Sequence, residues 1–195
     1  MADSSATTPL TGYYAPGPKS DAHYAVSDYK YDDPTYGSRF ALSQNFTVAP
    51  SSNKVVLSFD KWIYDNYGYG VYGGGELGLG DGSDLAHTFH VARIDVLKST
   101  ASTFSTDAAD LVYTAYSGLD SNAFETWTNS SIDLTSYLTA GSTYTLRFAV
   151  AQYGDATTFG IDNVSVISTQ AVPEPASMLA LGGAVAMVLR RRKSA

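Results

Sequence analysis

The chain lacks cysteine altogether, and its 195 residues include only three histidines. The absence of thiols excludes disulfide scaffolds, cysteine-ligated zinc and thiol catalysis, but it says little about the compartment because export does not require disulfides. His87 and His90 lie three apart in an apparent strand, which directs them to opposite faces, and His23 is distant in sequence. We therefore expect stability to come from packing, supplemented at most by a metal ion.

Basic charge is scarce in the body of the chain. Without Glu174 and the four cations near the C-terminus, 18 of the 19 acidic and 8 of the 12 basic side chains remain, a net charge of about −10. Because phosphate neutralisation needs a basic surface, we expect no nucleic acid as a partner. An acidic, tyrosine-rich surface suits neutral polysaccharide, divalent cations or simple solubility.

Local catalytic motifs are missing as well. The sequence contains no His-Glu-x-x-His run, no Gly-x-Ser-x-Gly elbow and no phosphate-binding loop. We identify no catalytic residue and expect a non-enzymatic protein. The alternative is an extracellular polysaccharide-active hydrolase, because two carboxylates brought together from distant strands would leave no local signature.

The body of the chain shows no sustained 3.6-residue period, which argues against βαβ units and a parallel sheet. The pattern is clearest at residues 142–152, where Phe148 is expected in the core and Arg147 on the opposite face, where alanine should be far better tolerated. The expected fold is all-β, with antiparallel strands in two packed sheets. Alternating apolar residues predict strands at 40–48, 54–64, 87–98, 111–117, 126–134, 142–152 and 158–167.

Composition divides the chain into three regions. Residues 1–37 are rich in Ser, Thr, Pro, Gly and Tyr, and we expect a flexible leader with one short edge strand. Residues 38–169 are expected to form the sandwich, and residues 170–195 a separate tail. Met1 to Ser5 begin a polar stretch without the apolar core of a signal peptide, so we expect that a signal was removed from this chain or that its start is misassigned.

The tail contains the longest apolar run. Ala176 to Leu189 is 14 residues, which as a short helix spans roughly 21 Å against a hydrocarbon core of about 30 Å. This length suits transient insertion into the inner membrane better than a permanent span; the alternatives are a buried terminal helix and a plain tail anchor. The flanking residues are the box Val172, Pro173, Glu174 and Pro175, and a basic cluster expected on the cytoplasmic side, Arg190, Arg191, Arg192 and Lys193.

The order of box, apolar run and basic cluster resembles the PEP-CTERM sorting signal of Gram-negative bacteria. The resemblance implies that exosortase, a membrane protease-transpeptidase, processes the protein near the Pro-Glu-Pro box. It further implies export to the cell envelope or the exopolysaccharide matrix. The tail therefore predicts where the protein is sorted and does not predict a biochemical activity.

The strand pattern from about residue 40 to 168 resembles the jelly-roll sandwiches of carbohydrate-binding modules and related extracellular adhesion domains. The resemblance implies a jelly-roll fold and an adhesive or carbohydrate-binding role. It is carried by the segments 57–60, 93–96, 132–135, 140–148 and 160–166.

Asp162 is the candidate metal ligand. Ile161 and Val164 fall out of phase, as a β-bulge at Asp162 and Asn163 would produce. In related jelly rolls an acidic residue at this place, together with backbone carbonyls, can hold a structural calcium ion, so the resemblance implies calcium at Asp162. The alternative is that Asp162 and Asn163 hydrogen-bond the neighbouring loops.

A stretch rich in glycine and tyrosine is the candidate carbohydrate contact. Eight glycines lie between Gly68 and Gly82. Flat amphipathic rings can stack on sugar faces, although a surface loop lying on the sandwich has the same composition. Trp62 and Trp127 are expected in the core and not on a binding platform. The candidate rings are Tyr64, Tyr67, Tyr69 and Tyr72.

Overall fold

The computed structural model describes residues 15–19, 24–27, 37–65, 91–118, 126–153 and 157–170. These ranges contain eight β-strands and no helix, and strands are present at all seven predicted positions. The strands are β1 (Ala25–Ser27), β2 (Gly37–Thr47), β3 (Ser52–Asp65), β4 (Val91–Lys98), β5 (Leu111–Ser117), β6 (Thr128–Asp133), β7 (Thr143–Tyr153) and β8 (Thr157–Gln170). The C-terminal helix expected from the sequence lies outside the described residues.

The strands form two antiparallel sheets of four strands each. The first sheet has the order β1-β8-β3-β6, and the second has the order β2-β7-β4-β5. The chain crosses between the sheets at nearly every connection, which is the arrangement of a jelly roll. The predicted all-β, two-sheet antiparallel sandwich is therefore confirmed.

The core lies between the two sheets and follows from the period-2 alternation of their strands. On β3, Leu57 and Phe59 are fully buried in the core, and on β7 Phe148 belongs to the same cluster. The rings of Phe59 and Phe148 meet edge to face with their centroids 6.1 Å apart. Since successive side chains of a strand point to opposite faces, Asp60 and Arg147 must lie on the outer faces of their sheets.

The outer face of the first sheet is covered in part by the beginning of the described chain. Strand β1 pairs antiparallel with β8 at one edge of this sheet. Ahead of it, Ala15 is 1% exposed and Pro16 is also buried. The residues from Ala15 to Lys19, here called the N-terminal segment, therefore pack against the sandwich.

Candidate functional site

A β-bulge shapes the outer face of the first sheet where β3 and β8 pair. Ser58 lies opposite Ser165 and Asp60 lies opposite Asp162, so β8 carries one extra residue between the two pairs. Asn163 has a positive φ of 52°, a conformation that asparagine tolerates better than most residues. The bulge predicted at Asp162 and Asn163 is confirmed.

Asp60 lies at the centre of the polar cluster that the bulge creates. It is only 2% exposed, and its carboxylate accepts three side-chain hydrogen bonds. The donors are the Lys19 ammonium at 2.8 Å, the Asn129 amide at 3.0 Å and the Asn163 amide at 2.7 Å. A buried carboxylate with this many donors is held in its ionised form.

Asp162 completes the cluster from the neighbouring strand. It is 8% exposed, and its two oxygens accept backbone N–H groups from Lys19 at 2.8 Å and from Asn163 at 2.7 Å. Lys19 therefore binds both carboxylates, Asp162 through its main chain and Asp60 through its side chain. This matches the hydrogen-bonding role that was the alternative to calcium at Asp162.

The surroundings lower the pKa of Asp60. Burial by itself would raise the pKa of this carboxyl, but the hydrogen bonds from its three side-chain donors and the charge of Lys19 hold the pKa below its usual value of 3.8. Asp60 is therefore charged at neutral pH and forms an ion pair with Lys19.

The residues of the cluster do not fit a resident calcium ion well. Calcium requires about six or more oxygen ligands, whereas both oxygens of Asp162 accept N–H groups and an ammonium group contacts Asp60. Within the described ranges, no group of three or more His, Asp or Glu side chains is placed to hold a metal ion. Calcium at Asp162 remains a prediction that its neighbours do not favour.

Aromatic side chains pack beside the cluster. Trp62 is 1% exposed and lies over Gly160, where an added Cβ atom would come within 3.0 Å of the Trp62 ring. Trp127 is half-buried and donates from Nε1 to the Gly17 carbonyl at 2.9 Å. Trp62 is thus buried as predicted, but against the outer face of a sheet, while Trp127 fastens the N-terminal segment.

The structure describes one of the four candidate carbohydrate contacts, Tyr64. Tyr64 stacks on Trp62 with nearly parallel rings, 4° between their planes and 6.3 Å between centroids. Tyr67, Tyr69 and Tyr72 lie outside the described residues. Stacking of sugars on these rings therefore stays a prediction.

A second charged cluster lies on the outer face of the other sheet and includes Arg147. Arg147 and Asp95 are both fully buried and form an ion pair, which Arg93 joins at 2.7 Å from Asp95. Arg147 also donates to the carbonyls of Thr103 and Ser105 in the loop between β4 and β5. Because this loop covers the polar face of the strand, the contacts of Arg147 argue against the expectation that alanine is far better tolerated there than at Phe148, and that expectation stays a prediction.

Sequence reasoning did not assign Lys19, Asp60, Arg93 or Arg147 to a charged cluster. One available signal was the presence of Asp60 between Phe59 and Lys61 in a strongly apolar strand, since charged residues are seldom buried without a partner. Lys19 gave no such signal because it lies among prolines and glycine in a segment without periodicity.

The predicted sorting residues lie outside the described part of the chain, which ends at Gln170. These residues comprise the Pro-Glu-Pro box, the apolar run from Ala176 to Leu189 and the basic cluster. Within the ranges that the structure describes, no helix has the length and apolar character needed to cross a membrane.

Comparison with known families identifies the tail. The PEP-CTERM protein-sorting motif matches residues 171–193, which include the box, the apolar run and the four cations. None of the curated proteins is significantly similar to the chain in sequence. The motif implies export through the cell envelope and sorting by exosortase. The predicted tail is thereby confirmed, and this chain carries a PEP-CTERM protein-sorting motif as its C-terminal segment.

Proposed function

We propose that the protein is a non-enzymatic component of the cell surface or exopolysaccharide matrix of a Gram-negative bacterium. Exosortase processes it near the Pro-Glu-Pro box after transient association of the tail with the inner membrane. The sandwich is then the mature product, with an adhesive role toward polysaccharide. The observation that carries this proposal is the sorting motif at residues 171–193.

The position of the motif relative to the fold supports the proposal. Strand β8 ends at Gln170, and the motif begins at the next residue. The Gln170 amide donates to the Pro50 carbonyl at 2.7 Å, which fastens the end of the last strand. Cleavage near Pro175 would therefore remove the apolar run and the basic cluster and leave all eight described strands in the mature protein.

The roles of the carboxylates support a structural protein over a hydrolase. A glycosidase needs two carboxyl groups facing an open cleft. The aspartates whose side chains the structure describes each accept hydrogen bonds from neighbouring groups of the chain. One buried cluster contains Asp60 and Asp162, and Lys19 forms an ion pair with Asp60. The other contains Asp95, which forms ion pairs with Arg93 and Arg147.

Processing is tested by expressing the full chain behind a signal peptide in a host that contains exosortase. We expect mass spectrometry of the mature protein to show loss of the residues that follow about Pro175. Replacing Pro173, Glu174 and Pro175 by alanine should block this loss. Mature extracellular protein that retains the segment Arg190–Lys193 would contradict the proposal.

The matched control for this experiment replaces Ser99, Thr100 and Thr106 by alanine. These three side chains are exposed in the loop between β4 and β5, so their replacement changes three residues without affecting the motif. We expect the control to be processed as the wild type is. If the control is not processed either, the loss of processing reflects a general failure of export and not specific recognition of the Pro-Glu-Pro box by exosortase.

The role of the body requires a separate measurement. The processed protein, incubated with exopolysaccharide of the host, should bind in a sedimentation assay without releasing reducing ends. Release of reducing ends would favour the hydrolase. Absence of binding with correct processing would leave the sorting proposal intact and refute the adhesive role toward polysaccharide.

A further inference from the structure

Two buried carboxylates are neighbours on the outer face of the first sheet. Asp60 and Asp162 are opposite each other on β3 and β8, and they are 2% and 8% exposed. Neighbouring ionised carboxylates repel each other, and burial removes the water that would screen them. This site therefore needs a positive charge close by.

The adjacent lysine of β3 points away from Asp60. Lys61 lies on the opposite face of the strand from Asp60, and its ammonium lies 4.2 Å from the centroid of the Tyr116 ring of the second sheet. A calcium ion could in principle supply the charge, but the hydrogen bonds already made by Asp162 and Asp60 fit such an ion poorly.

The N-terminal segment brings the cation instead. The Lys19 ammonium contacts Asp60 at 2.8 Å, and the Lys19 amide contacts Asp162 at the same distance. The segment is also held elsewhere along its length: Ala15 is buried, and Trp127 donates a hydrogen bond to the Gly17 carbonyl. The lysine is thus delivered by a segment that is itself fastened to the sheet.

We propose that Lys19 is a built-in counter-cation for Asp60, and that its ammonium on Asp60 and its main-chain amide on Asp162 together take the place of a divalent ion at this position. The sandwich is consequently independent of calcium, and the N-terminal segment is an integral part of its fold. The same contacts make the segment a lock, since its displacement would remove the Lys19 ammonium from Asp60.

The experiment measures the melting temperature of the full chain and of three variants, in millimolar calcium and in EGTA. Lys19→Met keeps most of the apolar stem but removes the charge, and we expect the melting temperature to fall by about 3 to 8 °C. The control Lys54→Met removes an exposed lysine of β3, in the same sheet, and should change the melting temperature by about 1 °C or less.

The third variant combines Lys19→Met with Asp60→Asn. A neutral amide at position 60 needs no cation, so the double variant should recover at least half of the loss seen in Lys19→Met. The wild-type melting temperature should be the same in calcium and in EGTA. The proposal is overturned if calcium raises the wild-type value, if Lys19→Met behaves like Lys54→Met, or if the double variant recovers nothing.

Discussion

Replacing Arg147 by methionine should destabilise the sandwich strongly, although Arg147 lies on the polar face of β7. Its side chain is fully buried and forms an ion pair with Asp95, which is also fully buried. Methionine keeps the apolar volume of the stem, so the substitution removes mainly the charge and its hydrogen bonds. The change therefore isolates the contribution of the guanidinium group.

The expected magnitude follows from what remains after the substitution. Removing one partner of a buried ion pair costs about 3 to 5 kcal/mol. Asp95 would keep the Arg93 guanidinium and the Thr114 hydroxyl, and the Arg147 Nε atom has no hydrogen-bond partner among the described residues. We therefore expect the lower end of the range, about 3 kcal/mol, or about 6 to 12 °C in melting temperature for a domain of this size.

Urea unfolding at neutral pH would measure the change in the free energy of unfolding, with Lys98→Met as the control. Lys98 is exposed at the end of β4, so its replacement should cost less than about 0.5 kcal/mol. Hydrogen exchange adds a local readout. The loop between β4 and β5 loses the two bonds from Arg147 to the Thr103 and Ser105 carbonyls, so its amides should exchange faster.

A loss below about 1 kcal/mol for Arg147→Met would refute this reasoning. It would show that Arg93 alone neutralises Asp95, and that the loop does not depend on Arg147 for its position. Unchanged exchange of the loop amides would point to the same conclusion.

Two further predictions concern the core and the Asp60 cluster. Phe148→Ala should cost about 3 to 5 kcal/mol in urea unfolding because it opens a cavity against Phe59. Leu42 lies opposite Phe148 on β2 but is 52% exposed, so Leu42→Ala should cost much less, and equal losses would contradict the burial assigned to Phe148. Asp60 has a lowered pKa in the folded state, so its contribution to stability is present above the unfolded pKa near 3.8 and is lost as the pH falls through the lower folded value. The free energy of unfolding, measured across this pH range, should therefore fall less steeply in Asp60→Asn than in the wild type. Identical slopes would show that Asp60 contributes no pH dependence.

The sequence by itself determined the strands and the inner faces of the sheets. Alternation at Leu57 and Phe59, and again at Leu146 and Phe148, is a local pattern that places these side chains in one layer without knowledge of any partner strand. The sorting motif was equally legible, because its box, apolar run and basic cluster are contiguous and act through composition and order.

Only the tertiary structure decided which polar residues carry the candidate site. A polar face of a strand has the same sequence pattern whether water or a loop covers it, so the alternation that placed Phe148 in the core could not show that a loop buries Arg147 on the other face. Lys19 meets Asp60 across 41 positions and Asp162 across 143 positions of the chain. Such pairs are set by how strands and segments pack in space, and no local spacing in the sequence records them.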